Sequence, residues 1–205
     1  MLQTKLLFYF NGFNSAILDD YSGSSKIAAV AEYAQSRDYD FIPVSVCYRL
    51  ALEQSREILA LVGESVEEVI FCGSSMGGWF ARIMQLLLSH EQPGIKSSAI
   101  AFNPAYDLAM YGYMLVGPQV NYVTQEEYRW TVEHSEQLKT LERSVDYKSA
   151  LPFFVYVDKG DEVIGWEGSA AKHSPISKFV AFEGGCHGFD HFREALLDFD
   201  TATIK

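Results

Sequence analysis

Short apolar runs alternate with amphipathic segments along this chain of 205 residues. Most of the runs are rich in Val, Ile, Phe or Tyr, which is typical of buried strands. Strands that alternate with helices favour an α/β fold, with a mostly parallel central sheet and helices on both faces. The predicted strands are Lys5–Phe10, Phe41–Cys47, Val66–Cys72, Ser97–Phe102, Leu151–Val157 and Lys178–Phe182.

The segments between these runs predict helices. Ser25–Arg37 and Leu50–Val62 carry their apolar residues on one face. Trp79–Leu88 is apolar nearly all round, which indicates a helix buried across the centre of the sheet. A last helix is predicted over Asp190–Phe199.

One gap between strands is much longer than the others. The 48 residues 103–150 exceed what a simple crossover needs, and within them Gln125–Leu141 predicts a helix. This tyrosine-rich insertion has two equally supported interpretations. It forms a lid over the carboxyl ends of the strands and shapes a substrate pocket, or its aromatic side chains pack on the sheet. Because no linker or repeat divides the chain, we expect residues 1–205 to form a single domain.

Composition narrows the classes of partner. Asp and Glu number 27 against 16 Lys and Arg, a net charge of −11, which disfavours binding to nucleic acid. The three cysteines include no Cys-x-x-Cys pair and suit a reducing compartment. The apolar amino-terminal run is too short for a signal peptide, and no segment approaches the ~20 apolar residues of a membrane span. We therefore expect a cytoplasmic protein.

The run Val66–Cys72 leads into Gly73-Ser74-Ser75-Met76-Gly77-Gly78. Gly-x-Ser-x-Gly between a strand and a helix is the nucleophile elbow of α/β-hydrolases, in which a tight turn exposes a serine. Ser75 is the candidate because Gly73 and Gly77 flank it, whereas Cys72 stands two residues before Ser74. The alternative is a glycine-rich turn whose serines cap the helix.

A serine nucleophile needs a base, and the base needs an orienting acid; in elbow hydrolases they follow in the order Ser, acid, His. The strand Leu151–Val157 ends in a turn that contains Asp161, the preferred acid, because Gly160 lets the loop turn. Asp158 and Glu162 in the same turn are alternatives.

The predicted base is His187, which lies in Gly-Gly-x-His-Gly after the last strand. His191, four residues further on, is its competitor. The neighbouring Cys186 is a poor candidate for a nucleophile, since adjacent loop residues rarely point at one another and nothing else activates the thiol.

The tetrahedral intermediate of acyl transfer requires two N–H groups that face the developing oxyanion. One normally belongs to the residue after the nucleophile, here Met76, and the other to the loop after an early strand. In the turn Asn11–Ser15, Phe13 is the first choice and Asn14 the second. No metal-ligand spacing or nucleotide-binding motif is present, so no metal or cofactor is implied. The sequence assigns no substrate-binding residues.

Together these residues resemble the YqiA-like esterases, a family of small bacterial α/β-hydrolases. The resemblance implies an α/β-hydrolase fold and a serine esterase with Ser75, Asp161 and His187 as its triad, acting on acyl esters or thioesters. The chain departs from the family at Asn11, where the family commonly has His. This difference concerns the residues that support the oxyanion loop and leaves the triad unchanged. The resemblance rests on Phe10-Asn11-Gly12-Phe13-Asn14-Ser15, Gly73-Ser74-Ser75-Met76-Gly77-Gly78, Asn103-Pro104-Ala105, Gly160-Asp161-Glu162-Val163, Gly184-Gly185-Cys186-His187 and the segment Tyr122–Leu141.

The leading hypothesis is hydrolysis of carboxylic esters of small molecules through an acyl-enzyme on Ser75. A thioesterase or acyltransferase would use the same three residues with another leaving group or acceptor. A catalytically silent hydrolase fold that serves as a binding protein is the alternative of a different class. The oligomeric state is left open by the sequence.

Overall fold

The structure is a computed structural model that describes residues 4–21 and 23–203. Its strands are β1 (Thr4–Phe10), β2 (Asp40–Val44), β3 (Val66–Ser74), β4 (Lys96–Phe102), β5 (Gly117–Val120), β6 (Glu127–Trp130), β7 (Phe153–Asp158) and β8 (Lys178–Phe182). Six of them form one parallel sheet in the order β2-β1-β3-β4-β7-β8, and β5 and β6 form a separate antiparallel hairpin. Every strand predicted from the sequence is present.

The helices are α1 (Ser25–Ser36), α2 (Ala51–Ala60), α3 (Met76–Glu91), α4 (Leu108–Tyr111), α5 (Val132–Arg143), α6 (Trp166–His173) and α7 (Phe192–Thr203). Short 3-10 turns at Tyr48–Leu50 and Gly112–Leu115 precede α2 and follow α4. Among the residues that the structure describes, no helix has the length and apolar character needed to cross a membrane.

The sheet is buried on both faces, as β1 illustrates. Leu6, Phe8 and Phe10 pack into a core with residues of α2, α3 and α5. Leu7 and Tyr9 point to the opposite face, where they join residues of α1 and α7. Because successive side chains of a strand alternate between faces, a continuous apolar run suits a strand covered by helices on both sides. The predicted α/β architecture is thus confirmed.

Helix α3 crosses the centre of the sheet and is buried on nearly all sides. Its two internal polar side chains donate hydrogen bonds to main-chain oxygens near the junction of the insertion and β7, although Arg82 Nε has no partner among the residues that the structure describes. Arg82 Nη2 donates to Ser149 O at 2.6 Å, and Gln85 Nε2 donates to Pro152 O at 2.8 Å. These bonds fasten the chain between the insertion and β7 to the central helix.

Several predicted boundaries differ from the structure by a few residues, and for two of them hydrogen bonds show the cause. Strand β2 ends at Val44 rather than residue 47, because the Val46 N–H turns to the side chain of Asn11 at 2.6 Å. The last helix begins at Phe192 rather than Asp190. Asp190 and His191 instead hydrogen-bond to the carboxylate of Asp158, which holds them outside the helix.

The prediction of one helix over Gln125–Leu141 is wrong, since β6 occupies its first part and α5 begins at Val132. Exposure alternates along β6, where Glu127 and Arg129 are exposed and Trp130 is buried, as in a strand with one covered face. The Thr131 N–H donates to His134 Nδ1 at 3.0 Å and marks the start of the helix.

The insertion is attached to the turn after β1. Asn14 Nδ2 donates to Gln119 Oε1 at 2.8 Å, and the Tyr128 hydroxyl donates to Asn14 Oδ1 at 2.5 Å. Both partners belong to the β5–β6 hairpin, so the hairpin is held close to the carboxyl ends of β1 and β3.

Candidate active site

Ser75 lies at the sharp turn between β3 and α3, with φ 56° and ψ −126°. A non-glycine residue in such a conformation costs on the order of 1–3 kcal/mol and persists only when its surroundings hold it. Here the Ser75 N–H donates to Phe102 O at 3.0 Å, and Ser75 O accepts from Gly78 and Ala105 N–H, each at 3.0 Å. The neighbouring Ser74 is buried and pairs with the Tyr9 hydroxyl at 3.2 Å.

The glycines that flank Ser75 are required by close backbone approaches. A Cβ on Gly73 would lie 2.4 Å from the carbonyl carbon of Gly77, and one on Gly77 would lie 2.3 Å from Phe10 O. Real Cβ atoms do not approach backbone atoms so closely, so the turn fits between β1 and α3 only with glycine at both positions.

His187 lies in the loop after β8, which turns through Gly184 (φ 74°) and Gly185 (φ 71°). Its Nε2 is 3.1 Å from Ser75 Oγ, and its Nδ1 is 3.0 Å from each carboxylate oxygen of Asp161. Both distances fall in the range expected between a nucleophile, its base and an orienting acid. The structure therefore brings the three predicted residues into one hydrogen-bonded chain.

Asp161 is arranged to remain a carboxylate. Burial raises its pKa, but the hydrogen bond to His187 and the N–H groups of Ile164 and Val163 outweigh that effect and bring the pKa below its ordinary value. Each of these two N–H groups donates to Oδ1 at 2.8 Å. The alternative acid Glu162 instead accepts the backbone N–H of His187 at 3.0 Å, which positions the loop rather than the imidazole.

The other two alternatives, Asp158 and His191, form a pair of their own. Asp158 is fully buried at the end of β7, and its Oδ1 is 2.6 Å from His191 Nδ1. Its Oδ2 accepts the Asp190 N–H at 2.7 Å. Two aspartate–histidine pairs thus lie beside each other, and only the one with His187 contacts Ser75.

The turn after β1 lies directly against Ser75. A Cβ on Gly12 would be 3.3 Å from Ser75 Cβ, which leaves little space for a larger residue. Asn11 holds this turn from behind, because its Nδ2 donates to Gly12 O at 2.9 Å and Ser15 O at 2.7 Å. Its Oδ1 accepts the Val46 N–H at 2.6 Å, so Asn11 fastens the turn through three hydrogen bonds.

The predicted oxyanion donors, Phe13 and Met76, both line the cavity that contains Ser75 and His187. Met76 is the first residue of α3, where N–H groups have no acceptor within the helix. Among the hydrogen bonds of residues 4–21 and 23–203, none is donated by the backbone N–H of Phe13 or Met76. Both groups thus remain available to a ligand, and the positive end of the α3 dipole adds to the attraction for negative charge.

Asn103 supports this site, although in the sequence it stands out only as part of the Asn-Pro-Ala family motif. It adopts φ 41° after β4, is 1% exposed, and its Oδ1 accepts the Asp158 N–H at 2.8 Å. Its Nδ2 donates to Cys186 O at 2.9 Å and His187 O at 3.3 Å. Asn103 therefore ties the His187 loop to the ends of β4 and β7. An asparagine directly after a predicted strand and before a proline is the sequence signal that could have indicated this role.

A cavity of about 440 Å³, which we call the Ser75 cavity, opens over these residues. The insertion supplies apolar side chains to its wall, namely Ala105, Leu108, Tyr111, Leu115 and Tyr122. Other aromatic residues of the insertion, Trp130 and Tyr147, pack in the core below. The insertion thus contributes side chains both to the wall of this cavity and to the core, while its role as a lid over a substrate pocket stays a prediction. Within the described part of the chain, no three His, Cys, Asp or Glu side chains are grouped as they would be around a metal ion.

A parallel sheet with helices on both faces and a serine at the β3–α3 turn defines the α/β-hydrolase fold. The family described as "Uncharacterised protein family (UPF0227)" matches residues 6–200. This chain belongs to that family, which is the YqiA family, and the resemblance inferred from the sequence motifs is confirmed. No curated protein matches the chain.

Solved structures support the same fold. Est1E from Butyrivibrio proteoclasticus has 17% sequence identity and a TM-score of 0.70, and the match covers 98% of this chain and 89% of that one. Alpha/beta hydrolase domain-containing protein 10 from mouse has 18% identity and a TM-score of 0.65, covering 96% and 88%. The structure described for the metagenome-derived lipolytic enzymes LipS and LipT has 14% identity and a TM-score of 0.60, covering 98% and 93%. At these identities the likeness establishes the α/β-hydrolase fold.

Proposed function

We propose that the protein is a serine hydrolase that cleaves carboxylic esters, including acyl thioesters, through an acyl-enzyme on Ser75. The observation that carries this proposal is the hydrogen-bonded chain from Ser75 Oγ to His187 Nε2 and from His187 Nδ1 to Asp161. The lipolytic enzymes among the structural neighbours make an acyl ester a reasonable class of substrate.

The first half-reaction begins with His187 Nε2, which accepts the Ser75 hydroxyl proton as Oγ attacks the carbonyl carbon of the ester. The carbonyl oxygen becomes an oxyanion that accepts hydrogen bonds from the N–H groups of Phe13 and Met76. Asp161 stabilises the imidazolium that forms on His187. When the intermediate collapses, the bond to the leaving group breaks, and His187 Nε2 returns the proton to the leaving oxygen or sulfur.

The second half-reaction uses water in place of the serine. His187 accepts a proton from the water molecule, whose oxygen attacks the acyl carbon. Collapse of the second tetrahedral intermediate releases the carboxylic acid and returns the proton to Ser75 Oγ. The apolar wall of the Ser75 cavity favours an apolar substituent on the ester, since burial of each CH₂ is worth roughly 0.8 kcal/mol.

Hydrolysis of p-nitrophenyl butyrate by the purified protein tests this proposal. Ser75→Ala is expected to lower kcat at least about 10⁴-fold, because nucleophile and base act as a unit. Ser74→Ala, which removes a hydroxyl bonded to Tyr9, is the matched control and should retain turnover. Equal loss in both variants, or none in Ser75→Ala, would refute the assignment.

A further inference from the structure

Lys26 lies where two neighbouring cavities meet. It belongs to the first turn of α1 and lines the Ser75 cavity together with Ser75 and His187. It also lines a second cavity of about 270 Å³, which we call the α1 cavity and which is bounded by the chain between β1 and α1. Gly12, Ser15 and Ser74 line both cavities as well, so the two lie side by side next to the nucleophile.

The ammonium group of Lys26 differs from those of most other lysines. Five lysines form ion pairs with carboxylates, namely Lys96, Lys139, Lys159, Lys172 and Lys178. Lys26 forms no ion pair with any residue in the described ranges, although the chain carries 27 acidic residues. Among the residues that the structure describes, no other Lys or Arg lines either cavity, and one acidic residue, Asp20, lines the α1 cavity.

Lys26 is also partly withdrawn from water. Burial lowers the pKa of its ammonium group, and the nearby Cys186 thiol acts weakly in the opposite direction. A partly desolvated cation with no carboxylate partner gains more from a bound anion than a solvated surface lysine does.

We propose that Lys26 binds an anionic group of the substrate. On this view the substrate is an amphiphilic ester, with an apolar chain on one side of the scissile bond in the Ser75 cavity. An anionic group on the other side lies in the α1 cavity, next to Lys26. This inference rests on the proposed hydrolase function and assigns its substrate class.

Two pairs of esters test the proposal, one for each direction in which an ester could lie. In the first pair the leaving group carries the charge, as in 4-carboxyphenyl hexanoate, compared with the neutral 4-carbamoylphenyl hexanoate. In the second pair the acyl group carries it, as in monohexyl succinate, compared with hexyl succinamate. Each carboxamide matches the shape of its carboxylate without the charge.

Lys26→Met removes the charge and retains the length of the side chain, and Lys26→Arg restores a cation. Lys148→Met makes the same change in net charge at an exposed lysine that lines neither cavity. We expect Lys26→Met to lower kcat/KM at least about tenfold, equivalent to 1.4 kcal/mol, for the carboxylate ester of one pair. The corresponding carboxamide should change little, Lys26→Arg should recover most of the loss, and Lys148→Met should affect neither ester. Equal losses for carboxylate and carboxamide, or no loss in either pair, would overturn the proposal.

Binding separates this proposal from the hydrolase function on which it rests. The ligands are two amides that correspond to the two carboxylate esters, 4-(hexanoylamino)benzoate and N-hexylsuccinamate. Each is titrated by calorimetry into the single variant Ser75→Ala and into the double variant Ser75→Ala/Lys26→Met. If one of these amides binds the double variant Ser75→Ala/Lys26→Met at least about tenfold more weakly than it binds Ser75→Ala, the Lys26 site is supported. This holds even if the wild-type protein hydrolyses no ester. Turnover of the neutral esters with no dependence of binding on Lys26 refutes the anion site and leaves the hydrolase function intact.

Discussion

Asp158, the last residue of β7, and Asp161, three residues further on, are both buried. They allow a matched test of which carboxylate orients the imidazole of His187. Asp161→Asn replaces the acceptor of the His187 Nδ1 proton, 3.0 Å away, with a group that includes an amide donor. An amide that donates to Nδ1 holds the imidazole in the tautomer protonated at Nε2, which cannot accept the proton of Ser75. We expect kcat to fall about 10³- to 10⁴-fold, the size of the effect of this change in a serine protease.

Asp158→Asn is the matched substitution at the neighbouring pair. It changes a fully buried carboxylate that accepts hydrogen bonds from the His191 ring and the Asp190 backbone. The asparagine oxygen can retain one of these bonds, so about one hydrogen bond to a charged group is lost, worth about 1.5–3 kcal/mol. For a chain of this size that loss corresponds to a decrease in Tm of about 3–12 °C. In the folded Asp158→Asn variant, kcat should remain within about tenfold of the wild-type value, which corresponds to a change of at most about 1.4 kcal/mol in the activation free energy.

Both variants are assayed for p-nitrophenyl butyrate hydrolysis and for thermal unfolding by circular dichroism. The roles assigned to the two pairs predict a large effect on kcat for one variant and a large effect on Tm for the other. A kcat near that of the wild type in Asp161→Asn, with a 10³-fold loss in Asp158→Asn, would show that the acid has been assigned to the wrong residue.

Two further predictions concern the backbone of the elbow and a buried histidine of the core. Gly77→Ala should prevent stable folding or lower Tm sharply, because its Cβ would lie 2.3 Å from Phe10 O. Gly94→Ala is the control and should leave Tm nearly unchanged, because no atom lies within 4 Å of the added Cβ. Equal Tm values for the two variants would contradict this prediction. Burial lowers the pKa of His173 to about 4. Because the unfolded chain then binds the additional proton between about pH 6.5 and 4, stability should decrease by about 3 kcal/mol as the pH falls through that window. Urea unfolding of His173→Phe at several pH values should show a smaller decrease in the free energy of unfolding over this window than the wild type shows. The same pH dependence in both proteins would contradict a lowered pKa of His173.

The strands and the elbow were predictable because their physical causes are local. A continuous apolar run such as β1 indicates a strand covered on both faces, and the glycines around Ser75 are fixed by contacts with Phe10 and within the turn itself. The order of Asp161 and His187 after the elbow followed from the connectivity of the fold. That these residues catalyse a reaction, and that the protein is cytoplasmic, stay predictions.

The insertion and the support of the site were harder to predict because they depend on contacts distant in sequence. Nothing local to residues 125–130 shows that this stretch pairs with Gly117–Val120 to form a hairpin. Likewise, the helical pattern of α1 gives no sign that Lys26 faces a cavity beside Ser75, since the chain between β1 and α1 forms the other wall. Asn103 acquires its role only when β4, β7 and the His187 loop come together.

The identity of the nucleophile is tested most directly by a fluorophosphonate probe followed by digestion and peptide mapping. We expect a single modified residue, Ser75, whose labelling is lost in Ser75→Ala and strongly slowed in His187→Ala, while Ser74→Ala remains labelled. Modification at Ser74 or Cys186, or labelling that survives Ser75→Ala, would contradict it.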